Sequence, residues 1–297
     1  MRLRFRCLPL LVLVVPSIGF AGLVPSMTPK QTGPSSQVQI APPLARHAVA
    51  PSTDASAQDL EQRGDELRAG KAFLDALDYL RAAAAKNPGN PKLLNKIGIV
   101  QLQLVRYREA RKSFEAAIRL DREYADAHNN LGVDYYLQES ARQAGKLREG
   151  ASLANESSGD FGRAIKEYRK AIKLHEDAAS FYSNLGTAYF AKKDFPKAVI
   201  SYSRALELDP DVFEHTSRVG VTAQTSSPGD RAEYFYLLAR MYAKSGATDR
   251  SLSYLRRAIE DGYKGIDKIW RDEEFAAVRN DPRFSALMDH KPVAITE

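Results

Sequence analysis

Residues 179–212, ASFYSNLGTAYFAKKDFPKAVISYSRALELDPDV, set the tightest limit on what this chain can fold into. Tyr182, Leu185, Gly186 and Tyr189 recur at helical spacing and share one helix face. Asp194 is placed to cap a second helix, and Pro196 falls in its first turn, where no intrahelical N–H is lost. Ala198, Tyr202, Ala205 and Leu208 form the second apolar face, which Asp209-Pro210 ends. The small residues Gly186, Ala198 and Ala205 let two backbones approach closely, and the spacing predicts that Gly186 and Ala198 face each other.

One such helix pair cannot bury its apolar face alone, so stability needs further copies. Residues 57–90 carry Leu60, Gly64, Leu67, Ala76, Leu80 and Ala83 in the same frame, closed by Pro88. Residues 91–124 carry Leu94, Ile97, Gly98, Ala110, Phe114, Ala117 and Leu120, with Arg122 in place of the proline. In residues 125–178 the first half has His128, Leu131, Gly132 and Tyr135, while the second half, Ala164, Tyr168, Ala171 and Leu174, comes about twenty residues late. A looser copy spans 232–265 with Leu238, Ala239, Tyr242, Ala243, Gly246, Leu255 and Ala258.

This recurrence resembles the tetratricopeptide repeat, whose pattern is W-x2-L-G-x2-Y…A-x3-F…P. Tyr182 stands at the Trp position and Tyr202 at the Phe position. The resemblance covers roughly two-thirds of the chain. It implies an all-α, right-handed α-solenoid of about five helix-turn-helix repeats with a C-terminal helical cap. It identifies an architecture rather than a chemistry.

Outside the repeats, residues 1–21 begin with Arg2, Arg4 and Arg6, continue as an apolar run and end in Gly19-Phe20-Ala21, as a cleavable signal peptide does. An uncleaved anchor is the alternative, against which Pro9 and Pro16 argue. The expected address is therefore exported, periplasmic or secreted, with membrane contact only if that segment stays attached. Cleavage would remove Cys7, the one cysteine, so no disulfide would support the fold. The Pro-, Ser- and Gln-rich stretch 22–56 is expected to be a disordered linker. Residues 138–159 are an insertion whose start lengthens a helix, and a tolerated surface loop is favoured over a partner-touching protrusion. Residues 213–231 form an irregular segment that Phe213, Val219 and Val221 would hold on the array. Residues 266–297 are expected to cap it, with Trp270 in the cap core beside Ile266, Ile269, Phe275, Val278, Phe284 and Leu287.

The motifs of catalysis are missing. The five histidines are scattered without metal-ligand spacing, and no phosphate-cradling, dinucleotide or nucleophile-elbow loop occurs. His128, in the repeat position of Leu94 and Tyr182, is expected to be packed. Glu61 with Asp65 and Glu66, and Glu273-Glu274, are expected to be solvated helix surfaces. A net charge of +6, three lower once the leader's arginines are gone, is too small to argue for nucleic acid. No catalytic residue, metal site or cofactor is expected.

What remains is binding. The resemblance implies a concave groove lined by the first helix of each repeat. Its positions here include Lys92, Asn95 and Lys96, then Asn129, Asn130, Val133 and Tyr136. Ser183, Asn184, Thr187 and Phe190 follow, then Tyr236, Arg240 and Lys244. Asparagines can satisfy the backbone of an extended peptide and the cations can attract acidic groups, although asparagine before Leu-Gly is also routine in the repeat. The family's carboxylate-clamp pattern is not met, since only Asn130 fits it. The expected function is a non-catalytic scaffold or adaptor of the cell envelope that binds a protein or peptide in this groove. The alternative is an anionic surface or glycan held by the basic second helices. These carry Arg106, Arg108, Arg111, Lys112 and Arg119, then Arg163, Lys166, Arg169, Lys170 and Lys173, with Glu109, Glu115 and Glu167 interrupting them.

Overall fold

Each apolar stripe of the repeats becomes one helix of a hairpin in the computed structural model, which describes residues 45–143, 161–214 and 228–289. The pairs are α1 (Ala57–Ala69) with α2 (Phe73–Lys86), α3 (Pro91–Gln103) with α4 (Tyr107–Leu120), and α5 (Ala125–Gln143) with α6 (Gly162–Leu174). Then come α7 (Ala179–Ala191) with α8 (Phe195–Leu208), and α9 (Pro228–Lys244) with α10 (Thr248–Glu260). Two short helices, α11 (Ile266–Arg271) and α12 (Pro282–Asp289), and two 3₁₀ turns between them complete an all-α array. The described residues all lie in one compact unit, Leu44–Glu297.

Local chemistry sets the ends. Ser56 accepts from Asp59 N at the start of α1, Asn90 from Lys92 N before Pro91, and Asp194 from Lys197 N before Pro196 turns into α8. In four hairpin turns one residue is left-handed: Lys71 (φ 62°), Val105 (59°), Lys193 (62°) and Gly246 (79°). The next residue's N–H then closes back on the helix, as in Arg106 N to Gln101 O (2.8 Å) and Ala247 N to Tyr242 O (2.9 Å). Val105 is β-branched there, a conformation that costs it about 1–2 kcal/mol.

Within a pair, glycine on the first helix meets a large side chain on the second. A Cβ added at Gly98 would lie 2.5 Å from the Phe114 ring, at Gly132 2.7 Å from the Tyr168 ring and at Gly186 2.5 Å from the Tyr202 ring. Gly186 therefore faces Tyr202 most closely, not Ala198 as the spacing predicted. The aromatic covers the glycine, and fully buried Ala198 packs beside it. In the last pair Ala239 and Leu255, both fully buried, take the places of glycine and aromatic.

Between pairs, α3 packs directly on α2, α5 on α4 and α7 on α6. Helices α8 and α9 lack that close backbone approach. Aromatic rings bridge them instead: Tyr202–Tyr234 at 5.8 Å, Tyr202–Phe213 at 5.4 Å and Phe213–Tyr242 at 6.5 Å, while Phe190 of α7 also meets Tyr234 at 5.8 Å. The core divides accordingly. One cluster serves the second to fourth pairs and reaches Leu237 and Met241 of α9, and another serves the rest of α9, α10 and the cap.

Three expectations need correction or limits. Trp270 is 45% exposed, its edge on Phe284 at 5.1 Å, whereas Ile269, Phe275, Val278 and Phe284 are fully buried. A six-residue helix cannot point two consecutive residues inward, and Ile269 holds the inner place. The linker expected over 22–56 is an ordered strap from residue 45, lying along α2, where His47 N and Ala48 N donate to the Asp75 carboxylate and Tyr79 OH to Val49 O. Helix α5 extends through Gln143, into the insertion. Residues 1–44 and 144–160, with Val219 and Val221, lie outside the described residues.

Candidate functional site

The first helices place the predicted groove residues in register, but packing claims most of them. Asn95, Asn129, Asn130 and Asn184 are 0–3% exposed. They form one chain of hydrogen bonds: Asn184 Nδ2 donates to Asn129 Oδ1 (2.9 Å), Asn129 Nδ2 to Asn130 Oδ1 (3.3 Å) and Asn130 Nδ2 to Asn95 Oδ1 (3.0 Å). Asn95 Nδ2 ends the chain on Tyr124 OH at 3.2 Å. Stacked helices bring the amides together across 35 and 55 residues of sequence, and each amide offers the donor and the acceptor its neighbour needs. These side chains join repeats two, three and four rather than standing free. Tyr136 and Phe190 are core residues: Tyr136 packs on Phe161 (5.2 Å), and Phe190 on Phe195 (5.4 Å) and Tyr234. Val133, Ser183, Thr187 and Tyr236 are buried as well.

Two of the four predicted cations are neutralised within the chain. Lys96 Nζ donates to Glu61 (2.6 Å) and Asp65 (2.5 Å), so those carboxylates are not the solvated face expected of them. Burial works against the charge of Lys96, but the two carboxylates outweigh it and raise its pKa. Arg240 Nε lies 2.6 Å from Asp272, and its NH2 donates to Glu274 at 2.8 Å, so the cap supplies the acidic groups that a partner was expected to bring. Tyr236 OH donates to the same Asp272. Lys92 and Lys244 are exposed and carry no ion pair among the described residues.

Arg240 and Lys244 meet in one cavity. A cleft of about 300 Å³ opens between α8 and α9, walled by Val199, Ser203, Leu206, Leu237 and Met241. Lys244 and Glu207 stand at its exposed edge, and Arg240 with Glu274 closes the cap end. The cleft exists because this junction lacks the backbone contact that closes the others. Its α8 wall was missed in the sequence, where the long irregular stretch 213–231 was the available signal.

The remaining titratable groups are structural. His128 is buried, its Nδ1 2.7 Å from Glu167 Oε2. Burial alone would raise Glu167, but the bonds to His128 and Lys170 hold it below the usual carboxylate range. Asp134 is fully buried where α5 meets α4, its Oδ2 accepting from Gln138 (2.6 Å) and Arg111 (3.3 Å) and its Oδ1 without a partner among the described residues. Burial pushes its pKa up to about 7 despite the Arg111 charge. Among the described residues no His, Cys, Asp and Glu cluster could hold a metal ion, and no helix is long and apolar enough to cross a membrane.

Comparison with known proteins agrees with the helix pairs. Family models described as tetratricopeptide repeats match residues 150–212 and 232–260, and one described as a TPR repeat matches 106–139. No curated protein matches the chain. Among solved structures, a thermophilic TPR protein of Thermus thermophilus is 20% identical, covering 76% of this chain and all of its own, with a TM-score of 0.47. MamA from Desulfovibrio magneticus is 16% identical over 71% of this chain and 96% of its own, TM-score 0.43. YrrB, described as having an unusual peptide-binding site, is 18% identical over 76% and 92%, TM-score 0.39. With its paired helices and family-model matches to consecutive parts of the array, this chain is a tetratricopeptide-repeat protein.

Proposed function

We propose that this protein is a non-catalytic scaffold of the cell envelope that anchors a protein or peptide partner at the α8–α9 end of its groove. The cleft supports this reading best. It pairs apolar walls from Leu206, Leu237 and Met241 with the exposed cation Lys244, which has no ion pair among the described residues. An apolar anchor seated in a pocket, with polar groups at its rim, is the arrangement that dominates protein interfaces. The asparagines act one step back, by holding repeats two to four rigid so that the cleft keeps its shape.

Cross-linking in the native host would capture the partner, and binding to purified variants would then be measured. Ser203→Trp, which fills the cleft, and Lys244→Glu at its mouth should each weaken binding by about tenfold or more. Retained binding by both would contradict the cleft reading. Loss on Lys166→Glu alone would move the partner to the outer helices. For the envelope address, N-terminal sequencing of native material should begin near Gly22, and a return of Met1 would contradict cleavage.

A further inference from the structure

We propose that the outward stripe of the second helices is a separate interaction surface, centred on α6, and that it takes an extended acidic segment of a partner protein. The precedent is the strap on α2. There an extended chain lies along the helix and is held largely through its backbone. Asp75 accepts from His47 N and Ala48 N (3.1–3.2 Å), Lys86 Nζ donates to Thr53 O (2.6 Å), and Arg46 pairs with Asp78. The stripe of α2 therefore works as a chain-binding track with a sign: its carboxylates hold a segment that carries an arginine.

Repeat register carries this track onto α6. Leu80 and Tyr168 are equivalent, because each covers the glycine of its own pair, Gly64 and Gly132. Counting from them, Asp75 corresponds to Arg163, Asp78 to Lys166 and Lys86 to Leu174. The sign is inverted. Lys166 is exposed with no ion pair among the described residues, whereas Lys170, exposed one turn on, is paired with Glu167 at 3.0 Å. Leu174, 39% exposed, gives apolar footing at the far end. On α4 the inversion is partial: Glu109 keeps the acidic place of Asp75, while Lys112 takes that of Asp78 and Leu120 (50% exposed) that of Lys86. Where α2 accepts from backbone N–H groups, α6 offers donors, which suit carbonyl oxygens and acidic side chains. A chain fits better than a flat anionic surface because exposed Glu109 interrupts the cations. A membrane would meet that carboxylate as repulsion, whereas a passing chain can donate N–H groups to it, as the strap does to Asp75.

The test uses the full chain and a labelled peptide alternating Glu with Ser. Its Gln-for-Glu version and vesicles containing phosphatidylglycerol serve as the other arms. The Glu peptide should bind with steep loss in salt, and the Gln peptide should not. Lys166→Glu should weaken binding about tenfold, Lys166→Gln less and in the same direction, and Arg81→Glu on the strapped α2 not at all. Absence of Glu-peptide binding, equal binding of the Gln peptide, or an unchanged Lys166→Glu would overturn the proposal. So would vesicle binding without peptide binding, which would assign the stripe to membranes. The α8–α9 cleft is read by Lys244→Glu and the captured partner, so either site can fail alone.

Discussion

The first four repeats and the junction between the fourth and fifth follow one sequence frame with opposite results. Connections of residues 87–90, 121–124 and 175–178 press each new first helix onto the preceding second helix. Residues 209–227 separate α8 from α9, and there a cleft and bridging aromatic rings replace backbone contact. Register within a pair is set by small residues and rings, whereas closure between pairs is set by connector length. An open junction in a solenoid keeps its repeats intact yet leaves apolar wall for something else to cover.

The largest expected effect tests how dry the closed side is. Asp134 at the α4–α5 junction keeps its proton to about pH 7 when folded, while an unfolded aspartate loses it near pH 4. The folded state thus binds more protons between those values, and stability should fall as pH rises through that window, by up to about 4 kcal/mol, then level off. Asp134→Asn should remove the slope, and denaturant melts from pH 4 to 8 would read it. An equally sloped variant would mean that water reaches this junction.

Next is close packing. Gly186→Ala places a methyl against the Tyr202 ring and should destabilise by about 3 kcal/mol, with Ala198→Leu nearby costing about 2 kcal/mol. Ser203→Leu in the cleft should change stability by less than about 0.5 kcal/mol, because space is available there. Equal losses at Gly186 and Ser203 would erase the distinction between the two regions.

Asn130→Ala is expected to cost about 2 kcal/mol by leaving buried amides unpaired. The groove expectation from sequence had these asparagines spare for a partner. Periodicity located their helix face correctly, and the cap at Asp194 was equally legible, because both depend on residues close in sequence. Burial of Asn95 and Asn184 depends on amides brought together only by stacking, and neutralisation of Lys96 and Arg240 on carboxylates 31 to 35 residues away. Such partners have no local signature. Trp270 was misplaced for a related reason, since Ile269 beside it claimed the inward direction.

The smallest effect is a gain. Val105→Gly should stabilise by about 1 kcal/mol by relieving a left-handed valine, and no change in thermal melting would mean that the turn is not strained.

The central claim, that α8 and α9 meet at a mechanical break, is tested most directly by amide hydrogen exchange of the free protein. Peptides from α3 to α7 should exchange together with the highest protection. Peptides from α9, α10 and the cap should open as a second unit at lower free energy, because most of their buried residues belong to a cluster of their own. A single protection level running through α7, α8 and α9 would contradict the account.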